Sequence, residues 1–312
     1  LRGAVGRHGL VVQTQKMVVG ARGMEMDTEI ALSSLANCSL GELHRCFIRA
    51  FGDYAVPMDL PQEQFSSMLV RNGFDADLSV GAFQDGQLVG FIFNGVRDNI
   101  SGKLAYDSGT AVLPKFRGRG IASRLIQFST NRLAQAGVYG YVLECIASNE
   151  TALELYRKSG FRQTRHLDCW QAETDTLLSH RVDVRSQYQF EPGSTEELDM
   201  AQGILSSYPS WQNSDIAIKR IASRLRFIKL TDVRHRIIGF AAWEPTNGTI
   251  SRLATWDIDA ALLMLQYMAH HSETDRMRMM NVDTEDRLLP SVLEELGFSV
   301  FVNQVEMLKL LH

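Results

Sequence analysis

The sequence predicts a layered α/β protein made of two related lobes, and three observations carry that reading. The chain has 312 residues, and at roughly 150 residues per domain that length suits two domains. Strand-like alternation and helix-like 3.6 periodicity are interspersed along it. The order of elements in the first half then recurs in the second, and both halves close on the same pair, Gly160-Phe161 and Gly297-Phe298.

The elements follow in order. Residues 28–33 alternate as a strand. Ser39 is an N-cap for a helix running to Phe51, with Leu43, Phe47 and Ile48 on one face. The loop Asp53–Asp59 breaks that helix, and Pro61 suits the first turn of another, which carries Phe65, Met68 and Leu69. Strands Leu78–Phe83 and Leu88–Val96 flank Asp85-Gly86, a strong hairpin signal. A strand over 103–113 leads to Pro114 and a glycine turn. Then come a helix bearing Ile121, Leu125, Ile126 and Leu133, a buried strand Val138–Ile146, and a helix opened by Asn149 and stopped by Gly160. A strand from Phe161 to about Thr174 completes the first half, and the stretch 175–188 reads as a polar linker. The echo comprises helices near 195–206 and 214–223 and strands near 226–230, 237–243 and 249–254. A helix over 260–271, a strand near 277–282 and a helix ending at Gly297 complete it.

Composition narrows the class. Apolar residues make up 45% and charged residues 22% of the chain, close to the globular average, which excludes a disordered tail, a collagen-like fibre and a coiled-coil rod. No run approaches the ~18 apolar residues of a spanning helix. The net charge of −4 disfavours bulk nucleic acid and anionic membranes as partners. Residues 1–24 hold Arg2, Arg7, Lys16 and Arg22 and no acid, and are expected to be a disordered extension or a start-site artefact rather than a transit peptide. Leu10-Val11-Val12 and Met17-Val18-Val19 are too short for a secretory signal. Cys38, Cys46, Cys145 and Cys169 form no zinc spacing, and the adjacent His270-His271 cannot share a helix face. No metal is expected, and the expected location is the reducing cytoplasm.

The chemistry concentrates in Arg117-Gly118-Arg119-Gly120-Ile121-Ala122, between a strand and a helix. Glycines there permit positive φ and close approach of backbone amides, and the helix start favours an anion such as a diphosphate. The run is neither a Walker A loop nor a dinucleotide fingerprint. An ordinary tight turn with surface arginines is the alternative.

With this loop, the sequence resembles the GNAT family of acyl-CoA-dependent N-acetyltransferases. Thr110-Ala111-Val112, Pro114 and the loop match the family's strand and its Q/R-x-x-G-x-G/A turn. Leu143-Glu144-Cys145 followed by Asn149, Ala152, Leu155, Tyr156, Gly160 and Phe161 matches its N-x-x-A-x-x-L-Y-x-x-x-G-F ending. The likeness covers about residues 28–170, and implies lobes that are each a mixed, mostly antiparallel sheet flanked by helices. It implies a catalytic domain over 25–174 and, beyond the linker, a degenerate GNAT-like domain over 189–312.

The resemblance further implies acetyl-CoA as acyl donor, with pantetheine along Thr110, Ala111 and Val112. The diphosphate falls on the amides of Gly118, Arg119, Gly120, Ile121, Ala122 and Ser123, beside Arg117. Asn149 contacts the cofactor arm, and Tyr156 stands near the thioester sulfur as proton donor to the departing thiolate. Glu144 is the candidate base for a primary amine, in direct attack within a ternary complex. Cys145 is a weaker candidate as nucleophile, because no histidine is placed beside it. Asp53, Tyr54 and Met58 border the acceptor site, whose ligand is an amine of unknown identity. In the second half, Thr255-Trp256-Asp257-Ile258-Asp259 replaces the glycine loop, and Leu293 stands where Tyr156 does. That half is expected to bind no acyl-CoA. The alternative function is a non-enzymatic acyl-CoA sensor built from the two lobes.

Overall fold

The structure, a computed structural model, describes residues 29–53, 59–99, 102–180, 188–256 and 258–311. The expected extension over 1–24 lies outside them.

The first half runs β1 (Ala31–Ser34), α1 (Leu40–Phe51), α2 (Gln62–Asn72), β2 (Val80–Gln84), β3 (Gln87–Asn99), β4 (Gly102–Val112), α3 (Ile121–Gln135), β5 (Val138–Ile146), α4 (Glu150–Lys158) and β6 (Arg162–Glu173). Local chemistry explains the boundaries. Ser39 and Glu42 form a reciprocal capping box at the start of α1. Asp85 and Gly86 both take positive φ, 50° and 75°, so two residues suffice to turn β2 into β3. After α4, Gly160 at φ 90° lets its own amide reach Arg157 O while the Phe161 amide reaches Tyr156 O, a Schellman stop.

The second half comprises α5 (Thr174–Ser179), β7 (Gln189–Pro192), α6 (Leu198–Ile204), α7 (Asp215–Arg220), β8 (Arg226–Thr231), β9 (Ile237–Glu244), β10 (Thr249–Thr255), α8 (Ile258–His270), β11 (Arg276–Asp283), α9 (Leu289–Glu295) and β12 (Ser299–Leu310). Gly297 at φ 84° repeats the Schellman stop, with Phe298 bonded to Leu293 O. Part of the expected linker is structured. Residues 175–179 belong to α5, because Leu177 and Leu178 pack into the second core; residues 181–187 lie outside the described set.

All the strands join one twelve-stranded sheet in the order β1-β2-β3-β4-β5-β12-β6-β11-β10-β9-β8-β7. The ladders are antiparallel except β4 with β5 and β10 with β11, so the sheet is mixed and mostly antiparallel. The order is a palindrome about the β12–β6 pair, as a duplication requires. Each half's last strand lies inside the other's sheet: β12 pairs with β5 and β6, and β6 pairs with β12 and β11. The two expected sheets therefore run together. The terminal strand β12 was missing from the sequence-level order, although Val300, Val302, Val305 and Met307 mark an apolar run there.

The first core packs Phe47 of α1 and Phe65 of α2 on Phe91 and Phe93 of β3, each fully buried phenylalanine contributing about 2 kcal/mol. Leu125 of α3 lies against Gly90 of the same strand. Trp243, Met264, Leu265 and Leu293 anchor the second core. Where the halves meet, Trp211 stacks on Tyr106 at 5.1 Å between ring centroids and donates from Nε1 to Asn72 O at 3.1 Å. Among the described residues no helix is long and apolar enough to cross a membrane.

Candidate active site

The site begins with a parting of strands. The parallel β4–β5 ladder runs from Lys103 and Val138 to Asp107 and Leu143. Beyond it β4 stays with β3 as far as Val112, while β5 stays with β12 as far as Ile146. The wedge between them opens as a groove of about 490 Å³. Thr110, Ala111 and Val112 form one wall, Ile146 lies across from them, and α4 supplies Asn149, Ala152, Leu155 and Tyr156. Ala122 and Arg117 also line it.

At the start of α3, Gly118 and Gly120 hold φ values of 77° and 70°, with open space where a Cβ would stand. Glycine is required there by backbone conformation rather than by crowding. Gly120 is itself the N-cap; no side chain caps the helix and its first turn holds no acid. The first-turn amides and helix dipole thus give an anion-binding geometry beside the groove. Ile121 is buried, so it can serve a ligand only through its backbone, and the Arg119 guanidinium lies 5.5 Å from the Phe116 ring centre.

Two sequence-level assignments change in detail. The Arg117 side chain is already committed: it donates to both oxygens of Asp53 at 2.6 and 2.8 Å, to Ala50 O and to Val112 O. It ties the end of α1 to the loop, and it holds the Asp53 carboxyl below its ordinary pKa. Asp53 lines the groove, but its charge is matched by Arg117 rather than offered to a cationic acceptor. Tyr54 and Met58 lie outside the described residues. Asn149 lines the groove while its Oδ1 caps α4 by accepting from the Ala152 amide at 3.1 Å.

At the inner end Tyr156 donates from its hydroxyl to Asp107 Oδ2 at 3.4 Å. Asp107, absent from the sequence-level set, also accepts from Thr110 Oγ1 at 2.5 Å and from the Gly109 amide at 2.9 Å. Burial pushes its carboxyl up to about 6 against these three bonds, which pull it down. Burial, with Asp107 next, drives the Tyr156 phenol well above its usual range. Burial also raises the Cys145 thiol to about 12, with Asp107 adding to the shift; a thiol kept protonated is no nucleophile.

Glu144 does not line the groove with Tyr156. Its Oε2 accepts from Tyr106 Oη at 2.7 Å, Asn281 Nδ2 at 2.6 Å and Gln212 Nε2 at 3.3 Å, while Oε1 is buried without a partner. Burial lifts the carboxyl to about 7, opposed chiefly by the Tyr106 hydrogen bond. Ile146, two residues on and on the same strand face, does line the groove. Glu144 therefore stands about 7 Å further in along β5, beneath the second half.

The corresponding wedge of the second half is nearly filled. The β10–β11 ladder covers only Thr249 and Ile250 with Arg278 and Met279, and the space beyond is about 40 Å³. Buried Arg252 lines it, bonded to Asn213 O at 2.8 Å and paired with Asp215 at 2.6 Å. Asp259 stands in the first turn of α8, and Asp257 lies outside the described residues.

Residues 42–161 match the family model for the acetyltransferase (GNAT) family. The N-alpha-acetyltransferase MAK3 of Arabidopsis thaliana is 34% identical over 86 residues, 28% of this chain and 45% of that protein. Mycothiol acetyltransferase of Brachybacterium faecium is 31% identical over 117 residues, 36% of this chain and 35% of that protein. The matched stretches thus span less than half of either relative. Among solved structures, a tandem GNAT protein from the clavulanic acid biosynthesis pathway superimposes with a TM-score of 0.70 at 14% identity, over 91% of this chain and 99% of that one. A GCN5-related N-acetyltransferase from Sphaerobacter thermophilus gives 0.67 at 16% identity, over 91% and 96%. These likenesses bear on the fold alone. Residues 42–161, which hold the glycine turn and the parted β4–β5 pair, are thus the part of the chain that is similar to the acetyltransferase (GNAT) family.

Proposed function

We propose that the protein is an N-acyltransferase that moves an acetyl group from acetyl-CoA to a primary amine, by direct attack in a ternary complex, within its first half. The observation that carries this reading is the continuity of the groove. It runs from Arg117 and Ala122, beside the uncapped start of α3, along β4 at Thr110–Val112, to Tyr156. Bound acetyl-CoA supplies an activated thioester. The amides of the glycine turn hold its diphosphate, and β4, left without β5 past Asp107, offers backbone groups to its pantetheine amides. Tyr156 keeps a proton at the inner end for the sulfur that leaves. Glu144, with a carboxyl at about 7, takes the proton that the attacking amine must lose through an intervening water, since it stands further in than the groove lining.

A non-enzymatic acyl-CoA sensor is the second reading. It is favoured by one observation, the cover that Gln212 and Asn281 lay over Glu144. Thiol release from acetyl-CoA separates the two. The full chain is tested against peptides with free α-amines, the acceptor class suggested by the name of the Arabidopsis relative, and against small primary amines. Acceptor-dependent thiol release supports the enzyme. Acetyl-CoA binding without release by any amine supports the sensor.

A further inference from the structure

We propose that the second half tunes the reaction centre of the first, with Asn281, aided by Gln212, acting as a positioning residue for the Glu144 carboxylate. The inference rests on the reading of Glu144 as the base.

Glu144 Oε2 takes three donors from three elements, and two of them, Asn281 on β11 and Gln212 in the turn before α7, belong to the second half. Asn281 is 3% exposed and holds φ at +56° in mid-strand. Asparagine is among the few side chains that tolerate that region, at a cost of roughly 1 kcal/mol or more. The strain sits where the β11–β6 register slips between Met279 and Val282, and such a bulge re-aims a side chain. Here it turns Asn281 onto Glu144. The amide orientation is set from both ends: Oδ1 accepts from Cys169 Sγ at 3.3 Å while Nδ2 donates to Glu144 at 2.6 Å. The reversed amide would place an oxygen against the carboxylate.

The consequence is a carboxylate held by one oxygen, leaving buried Oε1 to take a proton. Donors on Oε2 favour its ionised form. The other groups facing it are Tyr106 on β4, Arg165 and Cys169 on β6, Glu306 on β12 and Arg71 on α2. Glu306 disfavours the charge and Arg165 favours it, and Arg165 is itself paired with Glu306 and Asp283.

If Asn281 and Gln212 merely fastened the halves together, their loss would change stability and leave the ionisation of the base alone. The discriminating readout is the pH profile of kcat/KM, with acetyl-CoA and the best amine of the acceptor panel, in Asn281→Gly and Gln212→Leu. Glycine suits the positive φ, so Asn281→Gly removes the donor without adding strain. The expected result is an acidic limb moved up by about one pH unit in Asn281→Gly and in the same direction in Gln212→Leu, with the KM for acetyl-CoA unchanged. A limb that stays in place in both variants, yet disappears in Glu144→Gln, overturns the positioning role and leaves Glu144 as base. A limb that survives Glu144→Gln overturns the base and the proposal with it.

Discussion

On the proposed mechanism, Tyr156 is where one side chain decides most. Tyr156 lines the groove and its hydroxyl reaches Asp107 at 3.4 Å, so Tyr156→Phe removes a hydroxyl and little volume. Steady-state kinetics on this variant should show kcat lower by about 10²-fold, the scale of a positioned general acid, with acetyl-CoA affinity kept. An unchanged kcat makes Tyr156 a packing partner of Phe161, which it meets edge-on. On the proposed mechanism Glu144 sets the pH dependence. A base works deprotonated, and burial has raised this carboxyl to about 7, so the wild-type rate should be full above pH 7 and fall about tenfold per unit below it. A limb near the ordinary carboxylate range, about 4, would mean that some other group accepts the proton. Arg117 and Asp53 work through geometry: both side chains are about half exposed, so their ion pair adds little stability, but it fixes the end of α1 against the loop.

At the scale of elements, the glycine turn and the α4 ending were readable because their chemistry is local. Gly118 and Gly120 meet a demand for positive φ within three residues, and Asn149 and Gly160 cap and stop the same short helix. The surroundings of Glu144 were not readable. Its donors lie 38, 68 and 137 residues away in the chain, and a strand's periodicity tells which face a residue takes without telling what covers that face. Asp107 was hidden for a similar reason, since its place at the inner end of the groove shows only once Thr110 and Tyr156 converge on it. The pairing of β12 was the largest omission. Its apolar residues indicate an extended buried segment, but insertion between β5 and β6 is a long-range choice. That placement has a consequence: removal of residues 299–312 leaves β5 and β6 without their common neighbour. The shortened chain should lose cooperative unfolding and the acetyl-CoA-induced rise in melting temperature together. Retention of both, measured by thermal melts with and without acetyl-CoA, would show that the first half stands without the strand.

For the whole molecule, the strand order is palindromic about the β12–β6 pair, the pattern that a duplication would leave, and the two wedges differ in size. One is a groove of about 490 Å³ beside an uncapped helix start; the other is a remnant of about 40 Å³ lined by buried Arg252. Anion binding at a helix start needs available amides and no competing negative charge, and Asp259 in the first turn of α8 opposes it. The second half holds the first through β12 and Trp211, and on the proposal above it positions Glu144 through Asn281 and Gln212. The most direct test of the claim that one groove binds the acyl donor is calorimetric titration of the full chain with acetyl-CoA, repeated on Gly120→Asp, which puts a carboxylate at the helix start. The account requires close to one acetyl-CoA per chain and the loss of that binding in the folded variant. Two equivalent sites per chain, or binding undiminished by Gly120→Asp, would contradict it.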